Sequence, residues 1–446
     1  MTVGLISLGC PKNRVDSEII LGRMAEEGYR FTPDLAAADM IIVNTCGFIE
    51  EAKQESIDAI LEMAELKSKR PKKLVVAGCM VNRYGDELRK AIPEIDVFVS
   101  LDELRDVSSL VQIGGDRRLP SPSEGSQVST ALFDHHDTRT LTTPGYAYLK
   151  VSEGCNNPCT FCAIPIWRGK FRSRSIESLV SEAQAFEADG IRELCLVAQD
   201  TTRYGEDLGL GRHGLLQLVE SLLAETNVPW IRFLYAYPTT LDRELLGLMG
   251  SEDRFCSYLD IPLQHSHPEI LKAMRRGGSS SRYLRLLDDA RRLAPGIHLR
   301  STFIVGFPGE TEDQFSSLLD FVDDAEFDHL GAFPYSREPG TPAASMGAEP
   351  SRKIALERQE RLLARQRPHA LRSRQALVGR ELKVLVEGVC SESEHLLQGR
   401  HEGMAPDIDG RLLITDGVAP AGEFAKVRIV EAFADDVVGH IVAASG

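Results

Sequence analysis

The sequence predicts a multidomain α/β chain in three parts: an amino-terminal parallel α/β domain, an open (βα)6 partial barrel, and a small antiparallel β-barrel at the carboxyl end. Three observations carry this. Apolar runs alternate with amphipathic stretches at both ends of a Gly-, Pro- and Ser-rich break, and after the last helix the chain turns to short strands spaced by Gly and Asp. The expected bounds are residues 1–112, a linker over 113–140, 141–373 and 374–442. A length of 446 residues suits about three domains.

In the first part VGLISLG, MIIVNT and KLVVAG read as strands, separated by the amphipathic stretches RVDSEIILGRMAEEGY and IEEAKQESIDAILEMAELKSK. Strands alternating with helices imply a parallel sheet, whose ligands gather at the carboxyl ends of the strands. Each strand is followed by a cysteine: Cys10, Cys46 and Cys79. The stretch around GGDRRLPSPSEGSQVST has no period and reads as linker. His135 and His136 fall in it and are expected to face solvent.

The middle part carries six strand-like runs, YAYLKVS, ELCLVAQD, IRFLYAY, YLDIPLQ, LRSTFIVGF and LGAFPYS, with helical patterns between them. Six βα units are too few to close an eight-stranded barrel. The charged helix SRKIALERQERLLARQR is expected to end near Pro368. RELKVLVEG, LLQGRHEG, GRLLITDG and EFAKVRIVEAF then suit a small closed barrel.

Composition narrows function. Lys and Arg total 51 against 66 Asp and Glu, a net charge of −15, which argues against generic phosphate binding. No apolar run approaches the ~20 residues of a membrane span. The opening MTVGLISLGCPKN lacks the charged start of a signal peptide, so a cytoplasmic location is expected. Nine cysteines in such a chain suggest metal or catalysis before disulfides.

The densest chemistry is EGCNNPCTFC, where Cys155, Cys159 and Cys162 follow the first barrel strand. A closed zinc site takes four ligands, as does a ferredoxin cluster. Three thiolates fit an iron–sulfur cluster with one iron left open. Gly154 and Pro158 shape the turn, and Phe161 puts a ring beside the metal. Any one of Cys10, Cys46 and Cys79 could be a buried small hydrophobe. Three in register at strand ends suit a second, auxiliary three-thiolate cluster better.

CxxxCxxC after the first strand of a (βα)6 barrel resembles the radical S-adenosylmethionine (SAM) superfamily. The two triads together resemble the methylthiotransferases, which insert sulfur into a C–H bond and cap it with methyl, and whose terminal barrel is of the TRAM type. SLGCPKNRVDSE, NTCGFIEEAKQES, YAYPTT, YLDIPLQH, RSTFIVGFPGET and GAFPYSREPGT are similar to the RimO-type ribosomal protein methylthiotransferases. That resemblance implies two 4Fe–4S clusters, on Cys155, Cys159 and Cys162 and on Cys10, Cys46 and Cys79. It implies SAM as radical source and methyl donor, and an electron donor such as flavodoxin or ferredoxin. The implied substrate is ribosomal protein S-twelve of the small subunit, free or in the ribosome, modified at the β-carbon of an aspartate.

Within the barrel, Gln199 and Asp200 end the second strand, and Arg300, Ser301 and Gly306 lie on the fifth, where the superfamily packs SAM. Gly306, Pro308 and Gly309 form a turn that lets backbone approach a ligand. Gln264 and His265 could face substrate, although a lone histidine is more often structural. Arg168, Lys170, Arg172 and Arg174 alternate after the cluster loop and read as a solvated face or as partners for an acidic group. Cys195 is expected in the core, and Cys256 and Cys390 are expected to be incidental thiols.

Two other functions compete: a tRNA adenosine methylthiotransferase of the MiaB-like branch, and an iron–sulfur electron-transfer protein without catalysis. From Gln375 onward six basic residues stand against twelve acidic ones, a balance of −6. Such a module repels phosphates and attracts a basic protein, which favours the ribosomal substrate and makes nucleic acid an unlikely one.

Overall fold

The computed structural model describes residues 1–69, 72–113 and 139–444. Most of the expected linker, with His135 and His136, lies outside the described residues. Contacts group the chain into two units. The first takes residues 1–142, 150–156 and 162–178, and the second takes 143–149, 157–161 and 179–446.

The first unit is built on a parallel sheet of β1 (Thr2–Ser7), β2 (Arg30–Phe31), β3 (Met40–Thr45), β4 (Lys73–Gly78) and β5 (Val97–Val99), in the order β2-β1-β3-β4-β5. Every residue of β3 is buried, as expected for a central parallel strand covered on both faces. One face packs Ile41, Val43, Leu74 and Val76 with Ile60 and Met63, and the other packs Ile42, Val75 and Val97 with Ile20 and Met24. The chain order reverses between β1 and β3, so the carboxyl ends of those strands flank a switch point of the kind where open α/β sheets bind ligands. Cys10 caps the helix Pro11–Glu26, whose first position is proline, and Cys79 opens the helix Cys79–Ala91.

In the second unit, β6 (Tyr146–Lys150), through its residues 146–149, forms the edge of a three-stranded sheet. The short pair β7 (Ser152–Glu153) and β8 (Arg172–Ser173) belongs to the first unit. The six strand-like runs become β6, β9 (Glu193–Val197), β10 (Trp230–Phe233), β11 (Tyr258–Asp260), β12 (His298–Val305) and β13 (His329–Pro334). They form two sheets, β10-β9-β6 and β11-β12-β13, and an isolated parallel bridge pairs Ile231 of β10 with Phe255, three residues before β11. This is the open six-stranded arrangement. Three of its helices start with side-chain caps, from Asp242, Ser279 and Thr311, the last in a capping box with Gln314 before Glu312–Ala325.

One boundary is corrected. The charged helix does not stop at Pro368 but runs Arg352–Gln375 with the proline inside. The residues beyond the proline are held from outside: Ser373 donates to Asp328, and Arg374 donates to the Asp328 carbonyl. The last residues close a barrel in the order β14-β15-β16-β18-β17, from β14 (Glu381–Cys390), β15 (Ser393–His401), β16 (Leu412–Asp416), β17 (Phe424–Ala432) and β18 (Val437–Ala444). Closure removes the exposed edges that five short strands would otherwise present.

Candidate active site

Around the auxiliary triad, Gly9 has φ +88, and a Cβ there would lie 2.7 Å from Cys46 Cβ and 2.8 Å from its sulfur. Only glycine lets the loop carrying Cys10 pass so close to Cys46. The strand ends are tied by side-chain amides. Asn13 Nδ2 donates to the Leu8 carbonyl at 2.6 Å, and Asn44 Nδ2 donates to the Asn13 carbonyl and to Ser17 Oγ, both at 2.8 Å. The Cys46 amide donates to Ser56 Oγ at 3.0 Å. Burial, with the neighbouring Cys79 and Cys10, pushes the Cys46 thiol up to about 12. Burial also pushes Cys79 up, opposed by Arg168. Without a metal these thiols stay protonated; with one they become thiolates.

Arg168 is the largest departure from expectation. It belongs to no solvated face: it is 4 % exposed, and its guanidinium meets Glu153 and Asp16 at 2.9 Å each and the Cys79 sulfur at 3.2 Å. Lys150 meets Asp16 at 2.7 Å and Glu153 at 3.2 Å. Of its alternating companions only Lys170 is exposed. Arg174 is buried and donates to Ser178 Oγ at 2.8 Å. The reading of this run as a solvated face is wrong because Arg168 and Arg174 turn inward, Arg168 onto Glu153 and Arg174 onto the Lys150 carbonyl.

The loop from 155 to 162 is divided between the units: Cys155 and Cys162 belong to the first, Cys159 to the second. In the first, the Cys155 amide donates to the Gly169 carbonyl at 3.2 Å. In the second, Thr160 is tied by backbone and hydroxyl to Met274 and Ala273, and Phe161 packs on Ile270, Met274, Phe307 and Tyr335. Arg276 donates to the Cys159 sulfur at 3.6 Å and to the Pro262 carbonyl at 2.7 Å, and lies 4.3 Å over the Tyr237 ring. Burial, then Cys159, pushes the Tyr237 hydroxyl up to about 12 against the pull of Arg276. Neither Arg276 nor Tyr237 stood out in the sequence as a site residue. Among the described residues no three His, Cys, Asp or Glu side chains close on a single metal ion.

Of the expected SAM contacts, Asp200 is buried and accepts from Asn157 at 2.6 Å and Thr202 at 2.7 Å, with burial raising its pKa. Gln199 beside it is half-buried. Gly306 has φ +73, but the close approach it permits is to Ala355, 2.6 Å from an added Cβ. Its amide donates to Glu310, which also holds Arg358 at 3.0 Å and His265 at 3.2 Å. His265 is fully buried, and burial lowers its pKa. It accepts from the His267 amide at 3.0 Å, the structural role expected of it.

Arg300 and Ser301 have other partners. Ser301 Oγ donates to the Ile261 carbonyl at 2.9 Å. Arg300, third in β12, pairs with Asp260 at 3.0 Å and with Asp409 of the terminal barrel at 3.3 Å. Asp409 also accepts from Tyr258 at 2.7 Å and lies 3.3 Å from His329. Asp407 accepts from Tyr148 at 2.8 Å, and Arg400 bridges Glu193 and Glu387 at 2.7 and 2.6 Å. Several acids of the terminal barrel therefore face the strands of the larger barrel, and counting all twelve as a docking surface overstates it. Cys195 and Cys256 are fully buried, and Cys390 is nearly so. Among the described residues, no helix is long and apolar enough to cross a membrane.

Three families match along the chain: Uncharacterized protein family UPF0004 over residues 2–100, the Radical SAM superfamily over 149–322 and the TRAM domain over 378–442. The chain is 47% identical over 439 residues to the ribosomal protein uS12 methylthiotransferase RimO of Anaeromyxobacter sp. (strain K), covering 98% of this chain and 92% of that one. The proteins of the same name from Trichlorobacter lovleyi and Geobacter sulfurreducens are each 44% identical, covering 99% of this chain and 98% of theirs. Among solved structures, the radical SAM methyltransferase TsrM from Kitasatospora setae, with tryptophan substrate and aza-SAM bound, matches with a TM-score of 0.56 at 16% identity. The match covers 77% of this chain and 75% of that one, and is a likeness of fold.

Proposed function

Because the chain belongs to the RimO family of radical SAM methylthiotransferases, we propose that it methylthiolates the β-carbon of an aspartate in ribosomal protein uS12. The family's cofactors are SAM and two 4Fe–4S clusters. Cys155, Cys159 and Cys162 would hold the cluster that binds SAM, and Cys10, Cys46 and Cys79 the auxiliary one. When bound, these groups supply a carbon-centred radical and the sulfur to be inserted, chemistry that no side chain can perform.

The observation that carries the reading is the auxiliary triad: three thiols follow three neighbouring parallel strands, two of which flank a switch point, with Gly9 pressed on Cys46 and a buried arginine on Cys79. The donor set fits the group. A multi-iron cluster puts each thiolate on its own iron, so the three need not converge on one ion. Arg276 and Arg168 each offer a donor to a cysteine sulfur that becomes negative on ligation. Asp200, held by Asn157 and Thr202, and Gln199 beside it are the favoured contacts for the SAM amino group. Phe161, between two of the cysteines, anchors the cluster loop on the apolar cluster of Ile270, Met274, Phe307 and Tyr335. Arg300 and Ser301 are not proposed as SAM contacts, because their polar groups are engaged within the barrel. A cytoplasmic enzyme of this kind would draw its electron from a donor such as flavodoxin or ferredoxin.

The test is mass spectrometry of ribosomal proteins from cells with and without this chain, joined to iron analysis of variants. One methylthio group on one aspartate of uS12 is expected. Replacing Cys155, Cys159 and Cys162 together by Ala should halve the iron and abolish SAM cleavage. Replacing Cys10, Cys46 and Cys79 should halve the iron, keep some unproductive cleavage and abolish methylthiolation. Methylthio-adenosine appearing in tRNA, with uS12 unchanged, would assign the chain to the other branch.

A further inference from the structure

We propose that Arg168 is a positioning residue for the auxiliary cluster, which orients the Cys79 thiolate and raises the cluster's reduction potential by hydrogen bonding to its sulfur. The proposal rests on the assignment of Cys10, Cys46 and Cys79 as ligands.

Four ionic side chains, Arg168, Lys150, Asp16 and Glu153, meet in the first unit, each no more than 7 % exposed. Every acid touches both bases: Asp16 meets Lys150 at 2.7 Å and Arg168 at 2.9 Å, and Glu153 meets them at 3.2 and 2.9 Å. Two positive and two negative charges cancel. Burying such a set rarely stabilises a fold more than well-packed apolar residues would, so stability is a poor reason for its presence. What distinguishes it is the further contact, Arg168 Nη2 to Cys79 Sγ at 3.2 Å.

Geometry fixes that contact from several sides. Asp16 lies in the helix Pro11–Glu26 that Cys10 caps, so the quartet binds the arginine to the helix of one ligand and the sulfur of another. Trp167, next in sequence, lies 4.4 Å beneath the guanidinium of Arg83, which belongs to the helix that Cys79 opens. Residues 167 and 168 thus clasp that helix at its first turns. Outer partners of this kind orient metal ligands, and hydrogen bonds to the sulfurs are among the factors that set an iron–sulfur potential. Reduction adds negative charge to the sulfurs, so a donor there favours the reduced state. With the quartet neutral, the effect comes from the hydrogen bond and falls on Cys79 in particular.

The experiment uses the full chain with Cys155, Cys159 and Cys162 replaced by Ala, so that only the auxiliary triad can hold iron. The cluster is reconstituted without oxygen, its iron counted, and its potential read by a redox titration followed by electron paramagnetic resonance. Arg168→Gln should shift the midpoint to lower potential and change the spectrum, Arg168→Lys should recover part of the shift, and the exposed Lys170→Gln should change neither. Asp16→Asn removes a carboxylate that competes for the same Nη2 and should shift the midpoint upward. It is the deciding variant where Arg168→Gln fails to fold. Full iron with an unmoved midpoint in Arg168→Gln, or in Asp16→Asn where that decides, overturns the proposal. No iron in the parent with Arg168 intact instead overturns the ligand assignment, and the proposal with it.

Discussion

Arg168 and Arg276 each bury a guanidinium against a cysteine sulfur, and they differ in what cancels the charge. Arg168 shares two carboxylates with Lys150. Arg276, 8 % exposed, has the Pro262 carbonyl and the Tyr237 ring, and among the described residues it forms no ion pair. Its buried Nε has no hydrogen-bond partner there. The first is a closed set whose charges are satisfied within the protein. The second has no carboxylate at ion-pair distance among the described residues, only the more distant Asp200, so its charge beside Cys159 is less fully balanced. The terminal barrel repeats the closed pattern in its charges: Asp409 Oδ2 accepts from Tyr258, and Oδ1, which takes no hydrogen bond among the described residues, lies 3.3 Å from Arg300 and from His329. Breaking a closed set should cost stability, and breaking an open one should cost binding.

The largest effect expected is at Asp409. It is fully buried, and its ionised form is favoured by His329 and Arg300 against the cost of burial. Asp409→Ala leaves Arg300 paired with Asp260 but takes the acceptor from the buried Tyr258 hydroxyl and the Ala405 amide, and should cost about 2–6 kcal/mol, at roughly 1–3 kcal/mol for each donor left unmade. Denaturant unfolding of the reconstituted protein measures this. A loss under about 1 kcal/mol would show that the junction is not a closed set in the energetic sense.

Arg276→Gln comes next and should move the other quantity. Losing a charge-assisted hydrogen bond of roughly 1.5–3 kcal/mol corresponds to a fall of about 10- to 150-fold in affinity for SAM, with unfolding little changed. Equilibrium binding of SAM to the reconstituted enzyme, beside the same denaturant curve, separates the two. Should Arg276→Gln destabilise the fold as much as Asp409→Ala while SAM binding holds, the distinction between open and closed charge fails.

That distinction was not legible in the sequence, for reasons particular residues make plain. The six barrel strands were legible because each is an apolar run between helical stretches, whereas β2 and β5, at two and three residues, are too short to carry a period. The cysteines were legible because their chemistry dictates residue type and spacing. The partners of Arg168, by contrast, are Glu153, Cys79 and Asp16, which lie 15, 89 and 152 residues away along the chain. Alternation with Lys170, Arg172 and Arg174 suggested a surface, and only the fold turns it inward. Asp407 and Asp409 counted toward an acidic face in the sequence, because a charge balance takes no account of burial. Arg300 fell on the expected strand, but its third position there serves Asp260 and Asp409.

The smallest effect expected is a pH dependence from the histidines beside the closed set. Burial, then His298 and His329, holds His401 well below the usual imidazole range, with Arg232 and Arg374 adding to the same effect. Burial also lowers His329, although Asp409 opposes it. A histidine depressed in the folded state is neutral there and takes up a proton more readily when unfolded. Its contribution is therefore fully present above the unfolded value of about 6.5 and is lost as pH falls toward the folded value. Unfolding free energy should drop between pH 7 and pH 5, by about 1.4 kcal/mol per pH unit for each proton taken up. His401→Asn keeps an acceptor near the Gly403 amide, which His401 Nδ1 accepts at 3.0 Å, and should flatten the slope by about one proton. Denaturant midpoints at pH 7, 6 and 5 for the two proteins give both slopes. Equal slopes would mean that His401 is already satisfied as a cation, and that the charges at this junction are less closed than their distances imply.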